Sequence, residues 1–198
     1  MLSLSVGELG VLDWIAQHFH CALLDTLMPF FSALADIGFI WILLGLLLLC
    51  RKAQRSTGIQ VLLALILSVI VCNLILKNAV ARIRPFDLNP MVELLVPRLE
   101  DPSFPSGHSS ASFAVVTVLM IAKWRWRWVA AALAVLIAFS RLYLYMHFPT
   151  DVLGGICIGV LCGLLSVFLW KKWTLHRRNA ESVEKKTGNI EEEKKKLS

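Results

Sequence analysis

The chain has 198 residues, a formal net charge of +6 and a mean hydropathy of +0.68; 57% of its residues are hydrophobic and 17% are charged. An ordinary soluble domain carries about 25% charged residues, so this composition excludes that class. It predicts an all-α integral membrane helical bundle with one embedded core and a charged tail.

The N-terminal segment, residues 1–36, precedes the first long apolar run. Apolar residues recur there at helical spacing and predict an amphipathic helix lying on the outer membrane interface: Leu9, Leu12, Ile15, Phe19 and Leu23. A sixth, short transmembrane span over the same residues is the alternative.

Five apolar segments predict five transmembrane helices, at residues 37–50, 57–76, 107–122, 128–146 and 150–170. About 20 residues are needed to cross the hydrocarbon layer, so the first segment must use part of 27–36 to span it. We assign residues 37–172 to a membrane-embedded core and 173–198 to a charged cytoplasmic tail. The five cysteines show no metal-ligand spacing and are expected to be small buried apolar side chains.

The basic residues indicate how the chain is oriented. None occurs in the first fifty residues, and fifteen of the twenty lie at 51–55, at 123–127 or after residue 170. With five spans, these fifteen share one side, which the positive-inside rule makes cytoplasmic. We therefore expect a multi-pass cell-membrane protein with a cytoplasmic C-terminus. The aromatic and basic run at 123–128 is interpreted as a membrane-interface belt, and no nucleic acid is expected as a partner.

The basic residues on the opposite, extracytoplasmic side require another explanation. Lys77 and Arg84 are seven residues apart, so we expect them on one face at the end of the second span, which Pro85 ends. Arg82 falls off that face and is interpreted as solvated. On the same side, Pro105–His108 opens the third span.

Two residues of that opening suit an anion. Ser106 is a good N-cap, and Gly107 lets a ligand approach the backbone. The free amides of the first turn and the positive end of the helix dipole then form an anion site.

A third cluster follows the fourth span and consists of Ser140-Arg141, His147 and Asp151. Asp151 is four residues after His147 and is expected to accept a hydrogen bond from its ring. Converging cations and a helix N-terminus favour a multiply charged oxyanion, which indicates phosphate. Two histidines, His108 and His147, add a nucleophile and an acid.

The three clusters together resemble the signature of the type-2 phosphatidic acid phosphatases, which share their site with the vanadium haloperoxidases. The signature is Lys, six residues, Arg-Pro; then Pro-Ser-Gly-His; then Ser-Arg, five residues, His, three residues, Asp. All its positions are present, and the resemblance covers about residues 57–165.

The resemblance implies roles for eight residues. His147 is the nucleophile that forms a phosphohistidine, Asp151 orients it, and His108 protonates the leaving oxygen. The phosphoryl oxygens are bound by Lys77, Arg84, Ser106, Gly107 and Arg141. Fixed cations then supply the positive charge that Mg²⁺ would supply at the phosphoryl oxygens, so we expect neither a metal nor a cofactor.

A site at the membrane surface predicts a lipid phosphate substrate, with its tail in the bilayer. An undecaprenyl diphosphate phosphatase and a phosphatidylglycerophosphate phosphatase remain the main candidates. The alternatives are a phosphotransferase that uses the same intermediate and a non-catalytic phosphate-binding membrane protein. The loop at 86–104 is interpreted as a lid against the lipid chain. Gly155, Gly159 and Gly163 form a close-packing face, for another helix of the chain by default or for a homodimer as the alternative.

Overall fold

The computed structural model describes the backbone of residues 2–197 and the side chains of residues 7–181. The regular structure is helical, without a strand among the residues whose backbone is described, which confirms the all-α class. In chain order the α-helices are α1 (Leu2–Phe19), α2 (Ala22–Leu34), α3 (Phe39–Cys50), α4 (Arg55–Ser68), α5 (Lys77–Val80), α6 (Pro85–Leu88), α7 (Gly107–Ile121), α8 (Arg127–Tyr143) and α9 (Pro149–Leu197).

All five segments predicted to span the membrane contain a helix, although the fourth helix ends at Tyr143 and not at residue 146. Two helical stretches, Lys52–Leu88 and Pro149–Glu181, are long and apolar enough to cross a membrane. The pair Ala22–Leu34 and Asp36–Cys50 qualifies as a third span, with a bend of 48°. This agrees with the expectation that the segment at 37–50 needs preceding residues. Because α7 and α8 are shorter, with 15 and 17 residues, the count of five spans stays a prediction.

The central helices pack in succession, α3 against α4, α4 against α7, and α7 against α8, while α2 covers α8. The connections at the site end of neighbouring helices therefore lie side by side. These connections and the adjoining helix ends carry the three sequence clusters, which are brought together in this way.

The N-terminal helix α1 packs on protein. Leu12 and Ile15, two residues of the predicted apolar face, are buried in a cluster with the connection between α8 and α9. Val11 and Trp14 remain about half exposed. The prediction of a helix was correct, but part of its apolar face contacts the bundle instead of lipid.

The chain from α4 to α6 departs from a single straight helix. Residues Val69–Leu76 form a π-helical stretch, and the helix ends at Val80, where Ala81 adopts a left-handed conformation with φ 46°. The expectation that Pro85 ends this helix was therefore wrong, because Pro85 begins the short helix α6. A proline is favourable at a first helical position, where its missing amide is not needed.

The three glycines of α9 contact α7 of the same chain. A Cβ atom on Gly155 would lie 2.5 Å from the carbonyl oxygen of Ser106, and one on Gly163 would lie 2.6 Å from that of Ala114. Gly159 meets the backbone of α7 in the same way. The default interpretation was correct, and this face is not available for the homodimer proposed as the alternative.

The chain divides into two compact units, Met1–Ser166 and Val167–Ser198. The first unit contains every predicted site residue. The second continues the backbone of α9 to Leu197. In the predicted tail, 173–198, the side chains of residues 182–198 lie outside the described residues.

Candidate active site

A cavity of about 740 Å³ lies among the helices of the first unit, and five predicted site residues line it: Lys77, Arg84, Gly107, His108 and His147. They come from helix ends and connections. The helix bodies contribute an aliphatic lining: Ile42, Leu62, Leu65, Ile66, Val69 and Ile70. The cavity therefore combines charged groups with a surface suited to hydrocarbon.

Lys77 and Arg84 lie close together as predicted, and the carboxylate of Asp101 bridges them. Asp101 forms ion pairs with both, and its Oδ1 accepts from Nη2 of Arg84 at 2.8 Å. Arg84 also donates to the carbonyl oxygens of Asp101 and Met146, at 2.7 and 2.8 Å. Burial raises the pKa of Asp101, but the two cations outweigh it and hold that pKa below its ordinary value.

Sequence reasoning missed Asp101. It lies in the predicted lid, of which Leu99 and Asp101 line the cavity, whereas Leu94 and Val96 pack against a different apolar cluster. Its acidic neighbours in the loop gave no signal that would single it out.

The start of α7 has the expected geometry. The hydroxyl of Ser106 accepts from the backbone amide of Ser109 at 3.4 Å, as an N-cap does, and the residue is fully buried. The backbone amide of Ser106 donates to the carbonyl oxygen of Asp151 at 3.0 Å, which joins the second and third clusters. A Cβ on Gly107 would lie 3.0 Å from Oδ1 of Asn73, so glycine also relieves a close approach.

Arg141 is buried at the end of α8 and has an unused donor. One of its guanidinium nitrogens donates to Ser32 Oγ, while its Nε finds no partner in the described part of the chain. A buried unpaired donor costs about 1–3 kcal/mol, which an anionic ligand would offset.

His147 lies in the connection between α8 and α9 and is nearly inaccessible, as is Asp151. The two are close, but Nδ1 of His147 is 3.7 Å from Oδ2 of Asp151, beyond hydrogen-bond length, and is unpaired within residues 7–181. The predicted hydrogen bond is therefore absent between them, because Oδ2 already accepts from Ser103 Oγ at 2.5 Å and from the amide of Phe148 at 2.8 Å.

Burial lowers the pKa of His147 to about 3, despite the favourable charge of Asp151. Arg141 and Arg84 act in the same direction as burial, since they repel a proton on the ring. The imidazole is thus neutral at neutral pH, the state in which a nitrogen lone pair can attack.

The prediction that Arg82 is solvated was wrong. Its Nη1 donates to Asp151 Oδ1 at 2.6 Å and to Thr150 Oγ1 at 2.7 Å, and it pairs with Glu8 of α1. Glu8 also accepts from the amide and hydroxyl of Thr150, at 2.8 and 2.7 Å. The guanidinium lies 4.0 Å above the ring of Phe148. Arg82 therefore holds Oδ1 of Asp151 in place and, through Glu8, links α1 to the start of α9.

His108 also has a carboxylate partner that the sequence did not reveal. Its Nε2 lies 2.9 Å from Oδ1 of Asp36, between α2 and α3. The partners are 72 residues apart, so no local motif could link them.

Within 7–181, no three or more His, Cys, Asp and Glu side chains gather in a way that could hold a metal ion. The carboxylates of the site instead pair with cations or histidines.

Comparison with known proteins agrees with this geometry. A family model described as the PAP2 superfamily matches residues 57–175, more than half of the chain and all eight predicted site residues. The chain belongs to the PAP2 superfamily. The resemblance to type-2 phosphatidic acid phosphatases is thereby confirmed.

Individual PAP2 relatives extend the match over most of the chain. An undecaprenyl-diphosphatase from Sulfolobus acidocaldarius is 32% identical over 147 residues, which cover 74% of this chain and 70% of that protein. Undecaprenyl-diphosphatase BcrC from Bacillus subtilis is 29% identical, with 74% and 75% coverage. The crystal structure of Aquifex aeolicus LpxE has a TM-score of 0.69 and 30% identity, covering 80% of this chain and 93% of that one.

Proposed function

We propose that this PAP2 protein is a membrane lipid phosphatase that removes the terminal phosphate of a lipid diphosphate, with undecaprenyl diphosphate as the first candidate. The cavity carries this proposal, because two histidines and two cations share one space with an aliphatic lining. Such a space suits a phosphate head and a hydrocarbon chain together. Two relatives named undecaprenyl-diphosphatase support the choice of head group.

In the first step, Nε2 of the neutral His147 attacks the terminal phosphorus. The new N–P bond forms as the bond from phosphorus to the bridging oxygen breaks, and His108 gives its proton to the leaving oxygen if that oxygen requires one. In the second step, His108 in its unprotonated form, having given its proton to the leaving oxygen or to solvent, takes a proton from water, the water oxygen attacks phosphorus, and the N–P bond breaks. Phosphate leaves and His147 is again neutral.

The phosphoryl oxygens are bound by Lys77, Arg84 and Arg141, with Gly107 and the N-cap Ser106 presenting the amide end of α7. Charge that spreads over the equatorial oxygens in the transition state is stabilised by these fixed donors. Substrate binding requires Lys77 and Arg84 to exchange Asp101 for phosphate. Because three cations supply the charge that Mg²⁺ supplies elsewhere, we propose that turnover needs no metal.

The orientation follows from the charge distribution. Helix ends that carry Lys77, Gly107 and Asp151 face one side, and the connection at 123–127 with its basic residues belongs to the other ends of α7 and α8. From the positive-inside rule we propose that the site lies on the extracytoplasmic side and the C-terminus in the cytoplasm.

The test is phosphate release from a panel of detergent-solubilised lipids: undecaprenyl diphosphate, phosphatidylglycerophosphate and phosphatidic acid. We expect the highest kcat/KM on the diphosphate, inhibition by vanadate, and no effect of EDTA. Preference for phosphatidylglycerophosphate would replace the substrate but keep the enzyme class. Phosphate binding without release from any lipid would favour the non-catalytic alternative, and transfer to an alcohol instead of water would favour the phosphotransferase.

A further inference from the structure

The contact between His108 and Asp36 has a geometry that the family signature does not contain. Nε2 of His108 lies 2.9 Å from Oδ1 of Asp36, so this ring nitrogen is engaged by a carboxylate. His108 lines the cavity. Nδ1 is therefore the ring nitrogen left for a substrate.

The backbone around Asp36 is shaped in a way that brings its carboxylate to this place. Residues Asp36–Gly38 form a 3₁₀ turn between α2 and α3, and both Ile37 and Gly38 adopt left-handed conformations, with φ 57° and 74°. For a β-branched residue such as Ile37 this conformation is unfavourable. Unfavourable backbone conformations occur preferentially at functional sites. The turn that bends the helix pair thus also carries the carboxylate that His108 contacts.

We propose that Asp36 is a positioning residue for His108: it holds the ring so that Nδ1 faces the leaving oxygen, and its negative charge lies beside the positive charge that the ring carries when it acts as the acid. This inference rests on the proposed function and deepens it. It adds a second histidine–carboxylate pair to the pair His147–Asp151.

The charges around His108 explain why a carboxylate is needed. His108 shares the cavity with the cations Lys77 and Arg84. Asp36 places a carboxylate oxygen 2.9 Å from Nε2 of this ring. Without Asp36, a protonated His108 would face the cations that bind the phosphate with no carboxylate beside it.

The proposal has a consequence for substrate choice. When a lipid diphosphate is hydrolysed, the leaving group is a phosphate monoester, whose second pKa is about 6, so it departs without a proton. When a lipid monophosphate is hydrolysed, the leaving oxygen is an alkoxide, about as basic as hydroxide, and it needs the acid. Asp36 thereby determines whether the enzyme can use monophosphates in addition to diphosphates.

The experiment compares two lipids that share one tail, dioleoylglycerol diphosphate and dioleoylphosphatidic acid, in the same detergent. Asp36→Asn keeps an oxygen for the ring but loses the charge, whereas Asp36→Ala loses both. The matched control is Asp25→Asn in α2, since Asp25 contacts His20 at 3.2 Å and Tyr143 at 2.5 Å. Thermal unfolding of each purified variant checks that it is folded.

For Asp36→Asn we expect kcat on the monophosphate to fall by about 10- to 100-fold, with KM within about 2-fold. On the diphosphate we expect a loss of no more than about 3-fold. Asp36→Ala should lose at least as much on the monophosphate, and Asp25→Asn should behave as the wild type on both lipids.

Equal losses on both lipids, or a wild-type rate on the monophosphate, would overturn the role of Asp36 and leave the proposed phosphatase intact. Loss of the same size in Asp25→Asn would also overturn it, because the effect would then belong to α2 in general. A wild-type protein that hydrolyses neither lipid would instead contradict the proposed function itself.

Discussion

The two histidine–carboxylate pairs of the cavity differ in burial, in sequence spacing and in the ring nitrogen that faces the carboxylate. His147 and Asp151 are four residues apart and nearly inaccessible, with Nδ1 towards the carboxylate. His108 and Asp36 are 72 residues apart, the Asp36 side chain is 62% exposed, and Nε2 is engaged. This difference fits the two proposed roles. The nucleophile His147 must be neutral and fixed, whereas the acid His108 must exchange protons with water.

The largest effect is expected from removing the nucleophile. His147→Ala should lower kcat by about 10⁴-fold or more, because the covalent route disappears. The measurement is phosphate release from undecaprenyl diphosphate. His18→Ala is the control, since His18 is exposed and its Nδ1 lies 2.9 Å from the carbonyl oxygen of Trp14 in its own helix. Substantial turnover by His147→Ala would contradict the assigned role.

The activity of the buried pair His147–Asp151 should also depend on Arg82, which contacts Asp151. Arg82→Gln removes the donor that lies 2.6 Å from Asp151 Oδ1 and leaves a buried carboxylate less well paired. A penalty of about 1–3 kcal/mol corresponds to about 5- to 150-fold in kcat. Arg82→Gln acts on the His147–Asp151 pair, which forms the phosphoenzyme from either lipid. This substitution should therefore slow diphosphate and monophosphate turnover equally.

A matched control separates positioning of Asp151 from attachment of α1. Asp13 accepts from the hydroxyl of Tyr145 at 2.7 Å and so links α1 to the same connection without that route to Asp151. Asp13→Asn should therefore keep kcat near the wild-type value. If Asp13→Asn and Arg82→Gln were equally slow, the effect would come from α1 docking alone.

The burial of His147 predicts an unusual titration. An exposed imidazole with the ordinary pKa of 6.5 is mostly protonated at pH 5, whereas a pKa of about 3 keeps His147 neutral there. Between these values the unfolded chain binds a proton that the folded protein does not, so this residue lowers the stability of the fold as pH falls below about 6.5. NMR of ring-labelled histidine between pH 4 and 8 is the measurement. A shift of His147 centred near pH 6.5 would contradict the neutral state assigned to the buried nucleophile.

The smallest effect concerns the cations that both pairs share. Asp101→Asn frees Lys77 and Arg84 from a competing carboxylate, so vanadate should inhibit about 2- to 5-fold more tightly, the equivalent of up to about 1 kcal/mol. Vanadate titration of phosphate release measures this shift. Weaker inhibition would mean that Asp101 organises the two cations and does not compete with the phosphate.

Much of the site could be predicted because its residues follow short spacings along single segments. The length of the apolar segments predicted the helices, and local sequence patterns identified Lys77, His108 and His147. Glu8, Asp36 and Arg82 could not be found in this way, because their partners are 68 to 142 residues away and depend on how α1 and the bend at Asp36 pack. A usable signal existed for Arg82: a basic residue on the side with few positive charges needs a partner.

The helix ends illustrate the same limit. The end at Val80 is set by the backbone at Ala81, which carries no glycine or proline to mark it. Proline and glycine predict turns well when they are present. The departure occurred where packing placed an ordinary residue in a left-handed conformation.

The central claim is most directly tested by trapping the phosphorylated enzyme. His108→Ala should still be phosphorylated by a lipid diphosphate, whose leaving group needs no acid, but it lacks the base for hydrolysis and should accumulate the intermediate. Alkaline denaturation preserves phosphohistidine, and ³¹P NMR with peptide mapping identifies the nitrogen. We predict phosphate on Nε2 of His147; phosphate on Nδ1, on another residue, or no phosphoenzyme at all would contradict the account.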